Sequence, residues 1–202
     1  MKKEIKPGFM WHLDEVVITF QVAIVTTVDT EGRVNAAPFG LILPFNSGSE
    51  KPQMLLCSNS VWHTSQNIEA TKEFVINYAP YSLIEKVAKA GILYSEGVSE
   101  IEKAGLTAIP SLKVKPPRIE ECFQHIECRL NQIIRPSENQ NNFIGDILAI
   151  SMNEELLGKG REERLKAADP LLLFGVDITI LKGNYGGVGK TTVYAPPKMD
   201  VE

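Results

Sequence analysis

Four stretches of the chain carry residue types that could do chemistry. The most conspicuous, Gly186-Gly187-Val188-Gly189-Lys190-Thr191-Thr192, has the glycines, lysine and hydroxyls of a loop that cradles phosphate. Such a loop works between a strand and a helix, whose terminal N–H groups complete the anion site. Here Val193-Tyr194-Ala195-Pro196-Pro197 follows, a run that cannot start a helix, and Asn184 stands where the loop's first glycine belongs. Nucleotide hydrolysis is therefore not expected, and ATP binding would be the observation that revives it.

Cys122-x-x-His125-x-x-Cys128 has metal-ligand residue types. Around it the chain alternates: Cys122, Ile126, Cys128, Leu130 and Ile134 share one parity, and Phe123, His125, Glu127, Arg129 and Asn131 the other. That is the pattern of a long antiparallel strand with one face in the core. On a strand His125 points away from both cysteines, which lie about 20 Å apart at ~3.3 Å per residue. Two core cysteines and one surface or interface histidine are expected, and no metal site. No motif ties a Ser, a His and an acid together, so no catalytic residue is assigned.

The other two stretches suit a ligand. Ser58-Asn59-Ser60 leaves a buried strand and is followed by Thr64, the expected N-cap of a helix, with Asn67 one turn in and Ile68 facing inward. Hydroxyls, amides and free N–H groups at a helix start make a neutral receptor for a phosphate. Plain capping explains Thr64 and Asn67 equally well, though not the Ser-Asn-Ser before them. Upstream, Asn35-Ala36-Ala37-Pro38-Phe39 is small and broken by a proline that cannot donate to a ladder. Pairing is expected to lapse at Pro38, leaving backbone groups facing outward beside room for a flat ligand. A bulged edge strand without a ligand is the alternative.

These stretches need elements to hold them. Val22 to Val28 is apolar and β-branched on both faces, a strand covered on both sides. Asp29-Thr30-Glu31-Gly32 then turns the chain into the Asn35 to Phe39 stretch. Met54 to Cys57 and Glu73 to Tyr78 read as strands; Ser82 is the expected cap of a helix with Leu83, Val87 and Ala90 inward and Gly91 at its end. From Gly91 to Pro117 periodicity is lost apart from a helical turn at Glu100 to Ala104, a length that suggests a functional segment or one wrapping a partner subunit. Pro136 to Asn142 reads as a turn and Phe143 to Met152 as the returning strand, with Gly145 permitting close approach; Arg161 to Ala168 is a charged helix, and Leu171 to Phe174 a buried run. Many strands with helices inserted between them read as mainly β with accessory helices (α+β), an antiparallel barrel.

Composition bounds the rest. The chain has 202 residues, a formal charge of −4 and 44% hydrophobic residues, enough for a substantial core. The mild acidity argues against nucleic acid or an anionic membrane as the main partner. Met1-Lys2-Lys3-Glu4 opens no apolar signal region, no apolar run is long enough to span a bilayer, and three scattered cysteines suit a reduced, cytoplasmic protein. Residues 1–195 read as one domain and 196–202 as a disordered tail.

The order of motifs resembles the flavin reductase-like, FMN-binding split-barrel family, which includes flavoredoxins and the reductase components of two-component monooxygenases. The resemblance rests on Val22-Ala23-Ile24-Val25-Thr26-Thr27, Gly32-Arg33-Val34-Asn35-Ala36-Ala37-Pro38-Phe39, Ser58, Thr64-Ser65-Gln66-Asn67-Ile68 and Glu73-Phe74-Val75-Ile76-Asn77. It continues through Ala104-Gly105-Leu106-Thr107, Pro116-Pro117-Arg118-Ile119, Glu127-Cys128-Arg129, Ile144-Gly145-Asp146-Ile147 and Asp169-Pro170-Leu171-Leu172.

The family implies a Greek-key split β-barrel, a homodimer, and FMN near the subunit interface. It implies that Asn35, Ala36, Ala37, Pro38 and Phe39 lie along the isoalloxazine, and that Ser58, Asn59, Ser60, Thr64 and Asn67 surround the ribityl chain and phosphate. It further implies an NAD(P)H-dependent flavin reductase that passes hydride to FMN, with a downstream electron acceptor or monooxygenase; the alternative is an FMN-binding electron carrier or sensor without nicotinamide turnover. Two positions depart from the pattern. Trp62-His63 stands where many relatives carry Lys-Asp, so one phosphate charge partner is either missing or replaced by His63, and Gly175 is followed by Val176 rather than a second glycine, with Gly183-Asn184-Tyr185-Gly186 as the displaced equivalent.

Overall fold

The computed structural model describes residues 2, 4, 16–46, 48, 50–92, 94, 98–177 and 182–189. A short strand, β1 (Phe20–Gln21), leads into β2 (Ala23–Val28), which pairs antiparallel with β3 (Val34–Phe39). The turn between them is built by Asp29, whose carboxylate accepts from the N–H groups of Glu31 and Arg33 at 2.9 and 2.8 Å, and by Gly32 at φ 84°. Then come β4 (Ile42–Pro44), β5 (Gln53–Asn59), α1 (His63–Thr71), β6 (Glu73–Tyr78), α2 (Ile84–Ala90), α3 (Glu100–Ala104), β7 (Ala108–Ile109) and β8 (Arg118–Ile119). The long hairpin β9 (Gln124–Ser137) and β10 (Gln140–Met152), helix α4 (Arg161–Ala168), and β11 (Leu172–Asp177) with β12 (Lys182–Gly186) complete the described chain.

Seven strands form one sheet in the order β3-β2-β6-β9-β10-β5-β4. Every neighbouring pair is antiparallel. β6, β9 and β10 lie side by side while β5, which precedes them in the chain, sits beyond β10, a Greek-key arrangement. The two edges, β3 and β4, are joined only by Gly40-Leu41. In a flat sheet they would stand about 29 Å apart at ~4.8 Å per strand, a gap two residues cannot bridge. The sheet must therefore curl until its edges meet, and the result is a split barrel.

Two apolar clusters follow from that curl. Val25, Phe39, Leu56, Ile68, Phe74, Ile76, Ile126, Cys128 and Phe143 fill the barrel. On the outer face of β2 and β6, Ile24, Ala36, Val87, Ala90, Ile101, Ala104, Ile119, Cys122 and Leu171 form a second layer with α2 and α3. All six residues of β2 are buried, because this strand lies between the two layers. At the hairpin, a Cβ on Gly145 would come within 2.6 Å of Phe74 Cζ, so glycine is what lets β10 close over that ring.

Several expectations are corrected. Pairing does not lapse at Pro38: Pro38 stands opposite Ile24 in an unbroken register. Ala36 N–H donates away from β2, to Glu100, and residues two apart point the same way, so the Pro38 nitrogen faces the free edge and no ladder bond is lost. Ser82 caps nothing; a 3-10 turn, Tyr81–Leu83, runs straight into α2. β9 and β10 run on through the stretch read as a turn, leaving Glu138 and Asn139 between them.

His125 is not at the surface. It is 5% exposed, with Nε2 at 2.8 Å from the Ile119 carbonyl and Nδ1 at 3.0 Å from Ser151 Oγ. Phe174 is 42% exposed rather than buried. Residues 111–117 are tied to their own chain: Leu112 and Lys113 N–H donate to buried Glu127 at 2.8 and 2.6 Å, Lys115 N–H to Glu73 at 3.0 Å, and Thr26 Oγ1 to the Pro117 carbonyl, while the Leu112 side chain stays exposed. Among the described residues no helix is long and apolar enough to cross a membrane. The expected tail at 196–202 lies outside the described residues.

Candidate functional site

The free edge of β3 faces the start of α1 across a groove of two adjoining clefts. The first, of about 370 Å³, is lined by Asn35 to Phe39 on one side, by Trp62, His63 and Thr64 on another, and by Gly91, Ile92, Tyr94 and Glu100. The second, of about 550 Å³, continues past Asn35, His63 and Glu100 to Arg33, Gln66, Asn67 and Ser99. β3 contributes small side chains and the outward N–H of Ala36, beside the ring of Pro38. Gly91 keeps the end of α2 close, because a Cβ there would lie 3.0 Å from Pro38 Cγ.

Helix α1 begins two residues earlier than its sequence suggests. Trp62 is the N-cap and makes no side-chain cap bond, so Thr64 is already inside the first turn. The Thr64 hydroxyl serves the hairpin instead, accepting from Asn35 Nδ2 at 3.0 Å. Asn67 likewise does not cap; its Nδ2 donates to Thr27 Oγ1 at 3.0 Å, and Asn35 Nδ2 reaches the same oxygen at 3.4 Å. Thr27, Asn35, Thr64 and Asn67 form a polar clasp that fixes α1 against the β2–β3 hairpin. Plain capping therefore does not account for Thr64 and Asn67. The N–H groups of the first turn have no intrahelical partner, and of its residues His63 lines both clefts and Thr64 the first.

Ser58, Asn59 and Ser60 are spent locally and line neither cleft. Ser58 Oγ accepts from Ser65 Oγ at 2.8 Å, Asn59 Oδ1 accepts from Val61 N–H at 3.0 Å, and Ser60 Oγ donates to the Glu138 carbonyl at 2.9 Å. They shape the turn from β5 into α1. Asn35 to Phe39, His63 and Thr64 come together in the first cleft, and Asn67 joins through the second.

Sequence reasoning did not assign Trp62, Arg33 or Glu100 to the site. The Trp62 ring meets Phe39 edge-on, with centroids 5.9 Å apart at 64°, and makes the aromatic rim of the first cleft. Arg33 gives the second cleft a cation; its Nε lies 2.6 Å from Asp29 Oδ2, and this bond, with the backbone N–H groups of Arg33 and Glu31, holds the Asp29 carboxyl below its usual range against the opposing effect of burial. Arg33 and Trp62 lie within or beside the motifs that carry the family resemblance, so position gave a signal that residue type did not. Glu100 is 64 residues from its partner Ala36 and gave none.

Among the described residues, the other chemistry-bearing stretches line neither cleft. Burial pushes the Cys122 and Cys128 thiols well above their ordinary value, so neither is a thiolate, and no group of three or more metal-ligating side chains occurs among the described residues. Gly186 ends β12, and the Val188 N–H donates to Asp169 Oδ1 at 3.0 Å, so that part of the glycine-rich run faces a carboxylate rather than a phosphate. Residues 190–192 lie outside the described residues. Residues 183–186, read as a displaced cofactor contact, pair with β11 and line neither cleft.

Residues 17–178 match the flavin reductase like domain. The chain is 32% identical over 148 residues to an uncharacterized protein of Aquifex aeolicus, covering 70% of this chain and 74% of that one. Its structure is similar to that of a Pseudomonas fluorescens 2-nitrobenzoate 2-nitroreductase, with a TM-score of 0.76 and 26% identity over 91% of this chain and 87% of that one. It also shares its fold with nitrilotriacetate monooxygenase component B from Bacillus cereus, with a TM-score of 0.80, 21% identity, and coverage of 96% and 100%. With a curled Greek-key barrel, a groove at the edge of β3 and a family match over most of its length, the chain belongs to the flavin reductase-like family.

Proposed function

We propose that the protein binds FMN in the groove between β3 and α1 and reduces it with NAD(P)H, working as a homodimer. The observation that carries this reading is the free edge of β3, where small side chains and an outward N–H face the first turn of a helix across an open cleft. The residues fit a flavin. Ala36, Ala37 and Pro38 leave room for a flat ring, Trp62 and Phe39 give it an aromatic edge, and the first turn of α1 with His63, Thr64 and nearby Arg33 suits a phosphate. A bound flavin would supply the hydride-accepting ring, which explains why the site needs no acid–base pair of its own.

The chain's part is to hold and orient. The clasp through Thr27 and Thr64 fixes the distance between β3 and α1, so the ring and phosphate ends of the groove keep one spacing. The redox names of the nitroreductase and the monooxygenase component support an oxidoreductase. Exposed Val61, Trp62 and Ile92 at the rim, 65%, 48% and 53% accessible, support a second copy covering the groove. The test is oxidation of NADH and of NADPH by purified protein with and without added free FMN. Flavin-dependent turnover with either nucleotide is expected. Absence of turnover with both, in protein that binds FMN, would refute the reductase and leave a carrier.

A further inference from the structure

Glu100 stands at the junction of the two clefts and lines both. Its backbone is held in place: it opens α3, Ser99 Oγ accepts from Glu102 N–H at 3.3 Å as the cap, and Ile101 and Ala104 are buried in the outer layer. Its Oε2 accepts from Ala36 N–H at 3.4 Å, and among the described residues the carboxylate has no cationic partner. That contact is long for a charge-assisted bond, which settles near 2.7–2.9 Å when nothing competes. The cleft thus presents one backbone donor and, beside it, a carboxylate with accepting capacity to spare.

A donor next to an acceptor is the complement of a ligand edge that carries a carbonyl next to an N–H. We propose that Ala36 N–H and the Glu100 carboxylate together bind an imide or primary carboxamide edge. The N–H takes the ligand's carbonyl oxygen, and the carboxylate, released from Ala36, takes the ligand's N–H. This inference rests on the reading of the groove as a flavin–nicotinamide site, since both ring systems carry such an edge: the pyrimidinedione of the flavin and the carboxamide of the nicotinamide. No polar group is orphaned by the exchange, because each partner of the long internal contact gains a ligand partner. A ligand lacking the N–H leaves the carboxylate facing an apolar group in a partly dry cleft, which weakens binding.

The experiment compares wild type, E100Q and E100A, each with its thermal midpoint checked. Each is titrated by fluorescence with lumiflavin and 3-methyllumiflavin, ring systems without side chain or phosphate that differ only at the imide nitrogen. NADH and its 3-acetylpyridine analogue, which keeps the carbonyl but lacks the N–H, are compared by KM. In wild type one of these pairs should show about a ten- to hundredfold preference for the ligand with the N–H. In E100A that preference should collapse because the N–H ligand weakens, with E100Q in between. Collapse in the flavin pair assigns the edge to the flavin; collapse in the nucleotide pair assigns it to the nicotinamide. If the preference vanishes because the methylated ring tightens instead, Glu100 is a steric wall and the proposal falls. Equal discrimination in wild type and E100A for both pairs overturns it while flavin binding stands. Failure of wild type to bind lumiflavin or FMN at all overturns the flavin reading and this inference with it.

Discussion

Replacing Thr27 by Val keeps the side-chain shape and removes one hydroxyl from the centre of the clasp under the groove. Thr27 is fully buried, and its Oγ1 accepts from Asn67 Nδ2 at 3.0 Å and Asn35 Nδ2 at 3.4 Å. Asn35 keeps a second acceptor in Thr64, so it is not orphaned. Among the described residues Asn67 Nδ2 has no other acceptor, and its side chain is buried. The expected cost is that of one unsatisfied buried amide donor, about 1–3 kcal/mol, a sizeable part of a total of roughly 5–15 kcal/mol. Urea unfolding followed by circular dichroism reads it: with a slope of about 2 kcal/mol per M, the midpoint should fall by roughly 0.5–1.5 M. Adding Asn67→Leu to Thr27→Val removes the stranded donor and should recover most of the loss, a non-additive cycle. A midpoint shift below about 0.2 M, or strict additivity, would show that the clasp does not hold α1 to the hairpin.

Three further outcomes are expected. Gly145→Ala should destabilise by about 1–3 kcal/mol, since the new methyl meets Phe74 Cζ at 2.6 Å inside the barrel; a melt unchanged from wild type would contradict that packing. Burial chiefly holds the His125 imidazole below its ordinary value near 6.5, with Arg118 adding to the effect and the Ile119 carbonyl and Glu127 opposing it. The unfolded chain then binds more protons here as pH falls through 6.5, so His125 contributes stability above that value and loses it below. Urea midpoints should therefore drop from about pH 7.5 to about pH 5.5 in wild type and drop less in His125→Gln; equal drops would refute the assignment. Finally, dilution of the FMN-loaded protein, followed by light scattering and flavin fluorescence, should release monomer and flavin together if a second copy completes the groove. A protein that stays monomeric and loaded at every concentration would exclude the shared site.

How much of this was legible in the sequence depends on whether the determining contact was local. β2 could be read because two apolar faces require two covering layers, and both are present. β6 could be read to its ends, Glu73–Tyr78. Pro38 misled because its effect depends on which side of β3 lies at the sheet edge, which is decided by strand order and not by the tripeptide. Thr64 looked like a cap because Ser and Thr at helix starts usually are; its hydroxyl is instead used by Asn35, 29 residues upstream.

The alternation in β9 was read correctly as a strand, but its polar face is solvated only from Arg129 onward. His125 and Glu127 are buried, because the segment through Leu112, Lys113 and Ile119 folds over them and supplies their hydrogen bonds. Glu100 sits on a helical turn that was anticipated, at Glu100 to Ala104, yet its role arises only when that turn docks beside Ala36. Residues in the groove were thus foreseeable where the backbone itself lines it and hidden where a distant side chain reaches in.

The central claim is that flavin binds between β3 and α1, and the most direct test is an FMN titration followed by quenching of flavin fluorescence. Wild type is compared with Ala37→Trp, which fills the first cleft, and Trp62→Ala, which removes its rim. Binding to wild type should be saturable, and binding to both variants at least about tenfold weaker at unchanged helix and strand content, the equivalent of ~1.4 kcal/mol. FMN binding of wild-type strength in folded Ala37→Trp and Trp62→Ala would contradict the claim and place the flavin elsewhere.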